Sequence, residues 1–300
     1  MATGSSQLLR IWHRSPTLKG WALIAPTLIL LIVLLIVPIG LLLAQSFWTQ
    51  TGLTVDRSPT TANYALLASP EGQLYRMLLL KSLKISLASA VIVLLFAFPV
   101  AYFIAFHVRR SRLTWLLLVT VPFWISYLLR IFSWKIVLGF GGALNSGLMS
   151  IGLIEAPIEA LLYNQAAVIM TLAHSWSAFA VLPIYVSLQK IEPHLMEAAS
   201  DLGDSAFNRL RRIILPLAMP GLLAAFLLVF VPTMGDYITP SLVGGTDGVM
   251  VGNAIATLFG KQNDGPLGAA LAVVTMGAVA LTVGAILAAA RVSGLWRARA

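Results

Sequence analysis

Long, mostly apolar runs recur along the chain, each able to cross a hydrocarbon layer about 30 Å thick as a helix of roughly 20 residues. They fall at about 21–46, 80–106, 113–134, 165–189, 215–236 and 268–290. They are read as six helical spans. Of the 300 residues, 59% are hydrophobic and 10% charged, against about 25% charged in a soluble domain. A water-soluble fold does not fit this composition. The expected fold is all-α, a polytopic bundle of six spans. One transmembrane domain covers 21–290, between an N-terminal segment 1–20 and a tail 291–300.

Two runs are uneven. Arg130 and Lys135 crowd the end of the third, and Pro216, Pro220 and Pro232 interrupt the fifth, where neighbouring helices can satisfy the freed carbonyls. The first run follows basic residues, as a secretory signal does, but exceeds the roughly 7–15 apolar residues of such a signal. It is expected to be retained as a span, with Trp21 and Trp48 near the two interfaces.

The net charge of +9 does not form a patch for nucleic acid; the basic residues lie in short clusters between apolar runs, the pattern that orients a protein in lipid. Arg10, Arg14, Lys19, Arg109, Arg110, Arg112, Lys190, Arg209, Arg211, Arg212, Arg291, Arg297 and Arg299 fall on one face of a six-span arrangement. Fewer fall on the other: Arg57, Arg76, Lys81, Lys84, Arg130, Lys135 and Lys261. Both termini are therefore expected on the cytoplasmic side. The sequence has no cysteine, so disulfides and thiolate chemistry are excluded.

Residues 192–221, EPHLMEAASDLGDSAFNRLRRIILPLAMPG, differ from the other connections. Pro193 suits a first helical turn, and Leu195, Ala199 and Leu202 recur at helical spacing, with Glu197, Asp201 and Asp204 facing elsewhere. Gly203 permits a left-handed turn that ends this helix. Phe207, Leu210 and Ile214 then form a second stripe, with Arg209, Arg211 and Arg212 at the membrane surface. The spacing predicts a short helix, a turn and a second helix that runs into the fifth span.

Glu197-Ala198-Ala199, then Gly203, then Ile213-Ile214-Leu215-Pro216 at this spacing resemble the EAA loop of ABC importer permeases. The resemblance implies the type I importer permease architecture. It makes 192–214 a coupling element that docks into a cleft on a cytoplasmic ATPase, with Glu197, Ala198, Ala199, Asp201, Gly203, Ile213, Leu215 and Pro216 as the coupling residues. The chemistry suits that role, since Ala198 and Ala199 allow close backbone approach and Glu197 can make a charge-assisted bond to a partner Arg or Lys. No G-x-x-x-x-G-K-[ST] motif occurs in the chain, so ATP and Mg are expected on the partner ATPase, and no cofactor in this chain. The implied partners are a second permease, two ATPase copies and a periplasmic binding protein, in a bacterial inner membrane.

From about residue 80 to 280 the chain is similar to the permeases of the spermidine/putrescine importer group, and to the first of the two permeases in such systems. The strings FPVAYFIAF (98–106), PFWISYLLRIFSWKIVLGFGGALNSGL (122–148), VLPIYVSLQKIEP (181–193) and FVPTMGDYITPSLVGG (230–245) carry that similarity. The implied solute is a polyamine; the group also includes importers of opines, aminophosphonates and other small solutes. A polyamine path needs carboxylates for ammonium groups and aromatic faces for cation–π contact. Asp236 and Tyr237 beyond the fifth span, with Trp124, Tyr127 and Trp134 on the third, supply such residues. Asp236 is read either as a substrate carboxylate or as a residue in interfacial water or paired with Arg130.

Other features carry less. His174, inside the fourth span, suits a helix–helix hydrogen bond, while His13, His107 and His194 lack metal-ligand spacing. Ser187 and Lys190 match S-x-x-K without the companion motifs of an acyl-enzyme. Gly139, Gly141 and Gly142 read as a flexible turn before the fourth span, and the small residues from Gly268 to Ala290 as a packing face toward a second permease. An ion-coupled transporter would show paired broken helices and an intramembrane enzyme a catalytic cluster; neither is legible.

Overall fold

The computed structural model describes residues 16–52 and 54–292. The expected segment 1–20 and tail 291–300 therefore lie largely outside the described residues, His13 among them. Helices of sufficient length and apolarity to cross a membrane cover Gly20–Gln45, Pro70–His107, Tyr127–Ser150, Gln165–Leu188, Ala206–Met234 and Gly265–Val292.

Helix α1 (Pro16–Gln45) is a boundary element. None of its most apolar stretch is buried, and it leans on the last helix. A short hairpin follows, β1 (Thr49–Thr51) paired antiparallel with β2 (Thr54–Asp56), then α2 (Ala62–Ala68). Asn63 fixes this crown to the end of α1, its Nδ2 donating to the carbonyls of Ser46 at 3.0 Å and Trp48 at 2.8 Å.

The core is built from α3 (Gln73–Tyr102), α7 (Gln165–Leu188) and α10 (Leu215–Met234), which pack on one another. Small side chains let them approach: Ser82, Ser86, Ser89 and Ala90 of α3, Ala178 and Ala180 of α7, and Ala218 and Ala225 of α10 are buried. At Gly221 the approach is closest. A Cβ there would lie 2.5 Å from both the Pro183 carbonyl oxygen and the Ser187 Cβ, and the Ser187 hydroxyl donates across to the Leu217 carbonyl at 3.2 Å.

The third run differs from expectation. Instead of one helix over 113–134, the chain forms α4 (Arg112–Thr120), a 3-10 turn (Val121–Trp124), α5 (Tyr127–Leu138) and α6 (Ala143–Ser150). Pro122 cannot donate to the carbonyl four residues back, and Ile125 and Ser126 are extended, so the chain is redirected between α4 and α5. Gly139 to Gly142 accordingly lead into α6 rather than directly into the fourth span. Gly142 is also tightly packed, since a Cβ there would lie 2.3 Å from the Ile136 carbonyl oxygen, whereas Gly141 is exposed with nothing within 4 Å.

Past α8 (Pro193–Asp201) and α9 (Ala206–Arg209), α10 leads to a widened turn (Pro240–Gly244) and α11 (Val251–Phe259), which turns back into α12 (Gly265–Val292). Ser82 pins the start of α11, its hydroxyl accepting from the Val251 N–H at 2.7 Å.

Candidate coupling loop and candidate translocation site

The 192–214 stretch folds as the expected helix, turn and helix. Pro193 opens α8, and Gly203 ends it at φ +85°. The Gly203 N–H donates to Ser200 at 2.9 Å and the Asp204 N–H to Ala199 at 3.0 Å, the two bonds of a Schellman C-cap. Ser205 caps α9 by accepting from the Asn208 N–H at 3.3 Å. A widened turn, Leu210–Ile214, then joins α9 to α10; it precedes Pro216, which has no N–H to offer the Arg212 carbonyl.

The stripes are only partly inward. Ala199 and Ile214 are buried, but Leu202 is 88% and Phe207 68% exposed, and Glu197, Ala198 and Asp201 are exposed beside them. These two apolar side chains of the stripes face away from the bundle. Arg212 lies 3.8 Å from Asp204, a surface pair worth about 0–1 kcal/mol.

At the other end of α10, roughly 30 Å away at 1.5 Å per residue, Asp236 is buried and every acceptor position of its carboxylate is used. Oδ1 accepts from the main-chain N–H of Ile238 at 2.8 Å and of Thr239 at 3.2 Å. Oδ2 accepts from the Thr239 hydroxyl at 2.6 Å and from the Tyr127 hydroxyl, and the two hydroxyls are 2.8 Å apart. The structure thus joins two of the residues singled out from sequence.

Asp236 does not pair with Arg130, one of the three readings given for it. Arg130 is buried on α5, its Nη1 donating to the Ser175 carbonyl at 2.8 Å. Its Cζ lies 5.0 Å from the Phe123 ring centre and 5.7 Å from that of Tyr127, which staples the segments on either side of the 125–126 break. An arginine inside an apolar run was the signal for this. Trp134 meets His174 edge to face at 5.3 Å, and that ring contact replaces the hydrogen bond expected of His174. Trp124 is 77% exposed and joins neither group.

Tyr237 is half exposed on the wall of an open cavity of about 370 Å³ with Ser241, Asn253, Thr257 and Lys261. Asn253 Nδ2 donates to the Tyr237 carbonyl and to the Ser241 hydroxyl, both at 2.8 Å. Sequence reasoning missed Thr239 and Asn253. An Asp followed three residues later by Thr is a local turn signature that points to the first; no local signal points to the second, which reaches back from α11.

Residues 20–295 match the family described as binding-protein-dependent transport system inner membrane component. The chain is 38% identical over 244 residues to the spermidine/putrescine transport system permease protein PotB of Haemophilus influenzae, covering 81% of this chain and 84% of that one. It is 36% identical over 258 residues to the PotB of Escherichia coli, covering 86% and 89%. A crystal structure of a bacterial ABC transporter involved in the import of the acidic polysaccharide alginate has the same fold, with TM-score 0.65 at 19% identity, covering 94% of this chain and 98% of that one. A six-span bundle matched along nearly its whole length makes this chain a member of the binding-protein-dependent transport system inner membrane component family.

Proposed function

We propose that this chain is one of the two permeases of an ATP-driven importer that carries a polyamine, spermidine or putrescine, handed over by a periplasmic binding protein. The solute class is supported by the names and identities of the relatives. The observation that carries the mechanism is the 192–214 loop, a capped helical element that turns Glu197, Ala198, Leu202 and Phe207 away from the bundle. On this reading the loop docks on an ATPase subunit that binds ATP and Mg, two such subunits serving the permease pair. Glu197, Ala198, Ala199, Asp201, Gly203, Ile213, Leu215 and Pro216 transmit nucleotide-driven closure to the spans. Both termini then lie in the cytoplasm, and the open faces at Gly277 and Gly284 of α12 suit a second permease. The solute path runs past Trp124, Tyr127, Trp134, Asp236 and Tyr237, and inward and outward states alternate.

The experiment is ATP-driven uptake of radiolabelled spermidine and putrescine into vesicles holding the full complex, wild type against Glu197→Ala with Gly203→Asp. Uptake by wild type and its collapse in the assembled mutant are expected. Intact ATP hydrolysis without uptake of either polyamine overturns the solute assignment, and undiminished uptake by the mutant overturns the coupling role.

A further inference from the structure

Asp236 is the obvious partner for an ammonium group at this end of the bundle, yet its geometry is that of a residue already occupied. An ionised carboxylate offers about four acceptor positions, and two main-chain N–H groups and two hydroxyls fill them. A cation would have to displace one. The bonds to Ile238 and Thr239 instead fix the turn in which the next residue, Tyr237, faces the other way.

That neighbour is held and open at once. Its carbonyl accepts from Asn253 Nδ2 at 2.8 Å and from the Ser241 hydroxyl at 2.6 Å, while the residue is half exposed and lines the cavity. A side chain on a backbone so restrained is preorganised for contact. The cavity, about 370 Å³, falls in the range of small-molecule sites. Two other cavities, about 390 and 750 Å³, have mainly apolar walls around Trp134 and His174, the smaller lined also by Arg130 and Ser133. Among the described residues no hydrogen-bond partner exists for the Tyr237 or Thr257 hydroxyls, and both residues line the cavity, so both are available as acceptors for an ammonium that meets the Tyr237 ring face. An ammonium over that face gains cation–π attraction without a buried counter-charge. Exposed Lys261 on the same wall carries the solute's own sign and shortens its stay. Such opposition suits a site on a path, where a ligand must leave as readily as it enters.

The geometry points to Tyr237, in the cavity at the end of α10 away from the 192–214 loop, as the group that meets the solute's ammonium, with Lys261 limiting its dwell and Asp236 a positioning residue. This inference rests on the polyamine reading. The test uses the full complex in vesicles with saturating spermidine-loaded binding protein, measuring uptake and ATP hydrolysis together. Tyr237→Leu is expected to lower uptake about threefold to tenfold while loaded binding protein still stimulates hydrolysis, and Tyr237→Phe, which keeps the ring, to restore most of it. Lys261→Gln is expected to raise uptake at limiting loaded binding protein about twofold at low ionic strength, with the gain vanishing in high salt. Wild-type uptake in Tyr237→Leu overturns the assignment, as does loss of stimulated hydrolysis along with uptake, which marks a structural residue. Salt-independent, unchanged uptake in Lys261→Gln overturns the role of the rim. Absence of wild-type uptake of any polyamine removes the solute reading and this site with it, and is told apart from the other outcomes by the wild-type control alone.

Discussion

The Tyr127 hydroxyl donates to the Asp236 carboxylate across 109 positions of sequence. It ties the first turn of α5, just past the break in the third apolar run, to the turn that follows α10. Because Thr239 shares the same carboxylate oxygen at 2.6 Å, three side chains from two distant segments form one buried unit, in which the loss of any member leaves the others short of a partner.

Tyr127→Phe is therefore expected to destabilise the protein by about 1–3 kcal/mol, the cost of leaving a buried polar group unmatched. Asp236→Asn is expected to cost a similar amount, and the double mutant less than the sum, with a coupling of about 0.5–3 kcal/mol. Thermal unfolding of the detergent-solubilised protein measures it, and strict additivity would count against a shared unit.

Arg130 should not tolerate lysine. A planar guanidinium can lie over Phe123 and Tyr127 while donating to Ser175, whereas an ammonium on a flexible stem cannot do all three. Arg130→Lys is expected to loosen the 121–126 segment. The chain has no cysteine, so a single Ser126→Cys reports this directly: maleimide labelling should be several-fold faster in the Arg130→Lys background, and equal rates would refute the staple.

Gly203 is constrained by its backbone alone, since nothing lies within 4 Å of a Cβ placed there and φ is +85°. A left-handed conformation costs most residues roughly 1–2 kcal/mol, with Asn among the exceptions. Stimulation of ATP hydrolysis by loaded binding protein should fall in the order Gly, Asn, Ala, Val at this position. Equal activity of the Ala and Asn variants would show that the turn does not matter.

Gly221 is limited by space instead. Gly221→Ala is expected to cost about 1–3 kcal/mol by overpacking, and Gly221→Leu to prevent stable assembly of α7 on α10. Both are read from the yield and melting temperature of purified protein.

Much of the fold was legible because hydrocarbon demands long uninterrupted helices, so five of the six spans fall close to the runs from which they were expected. The third did not, since Pro122 and the extended Ile125 and Ser126 divide a stretch whose mean apolarity looks continuous. The hairpin, α2, α6 and α11 were missed for a related reason: they are too short to carry a period, and tertiary contacts such as Asn63 with Ser46 and Ser82 with Val251 hold them. In the 192–214 loop, Gly203 and Pro193 act through local backbone geometry, which sequence reports well. Phe207 and Leu202 show the converse, because periodicity locates a stripe without saying whether the bundle or open space lies against it. Around Asp236, sequence named Tyr127 and Asp236 but not their bond, which depends on how α5 and α10 meet.

The tight contact at Gly221 has a mechanical side. It sits near the middle of the stretch from α9 to the end of α10, with roughly 20 Å of helix on either side, as the axle of a rocker would. A swing of the loop end toward the bundle axis then returns at the Asp236 end with similar amplitude and the opposite sense. Pro220 beside it removes the N–H owed to the Pro216 carbonyl, so the helix lacks one of its own hydrogen bonds next to its tightest contact. On the alternating-access reading, how much of such a stroke crosses the membrane depends on that one turn.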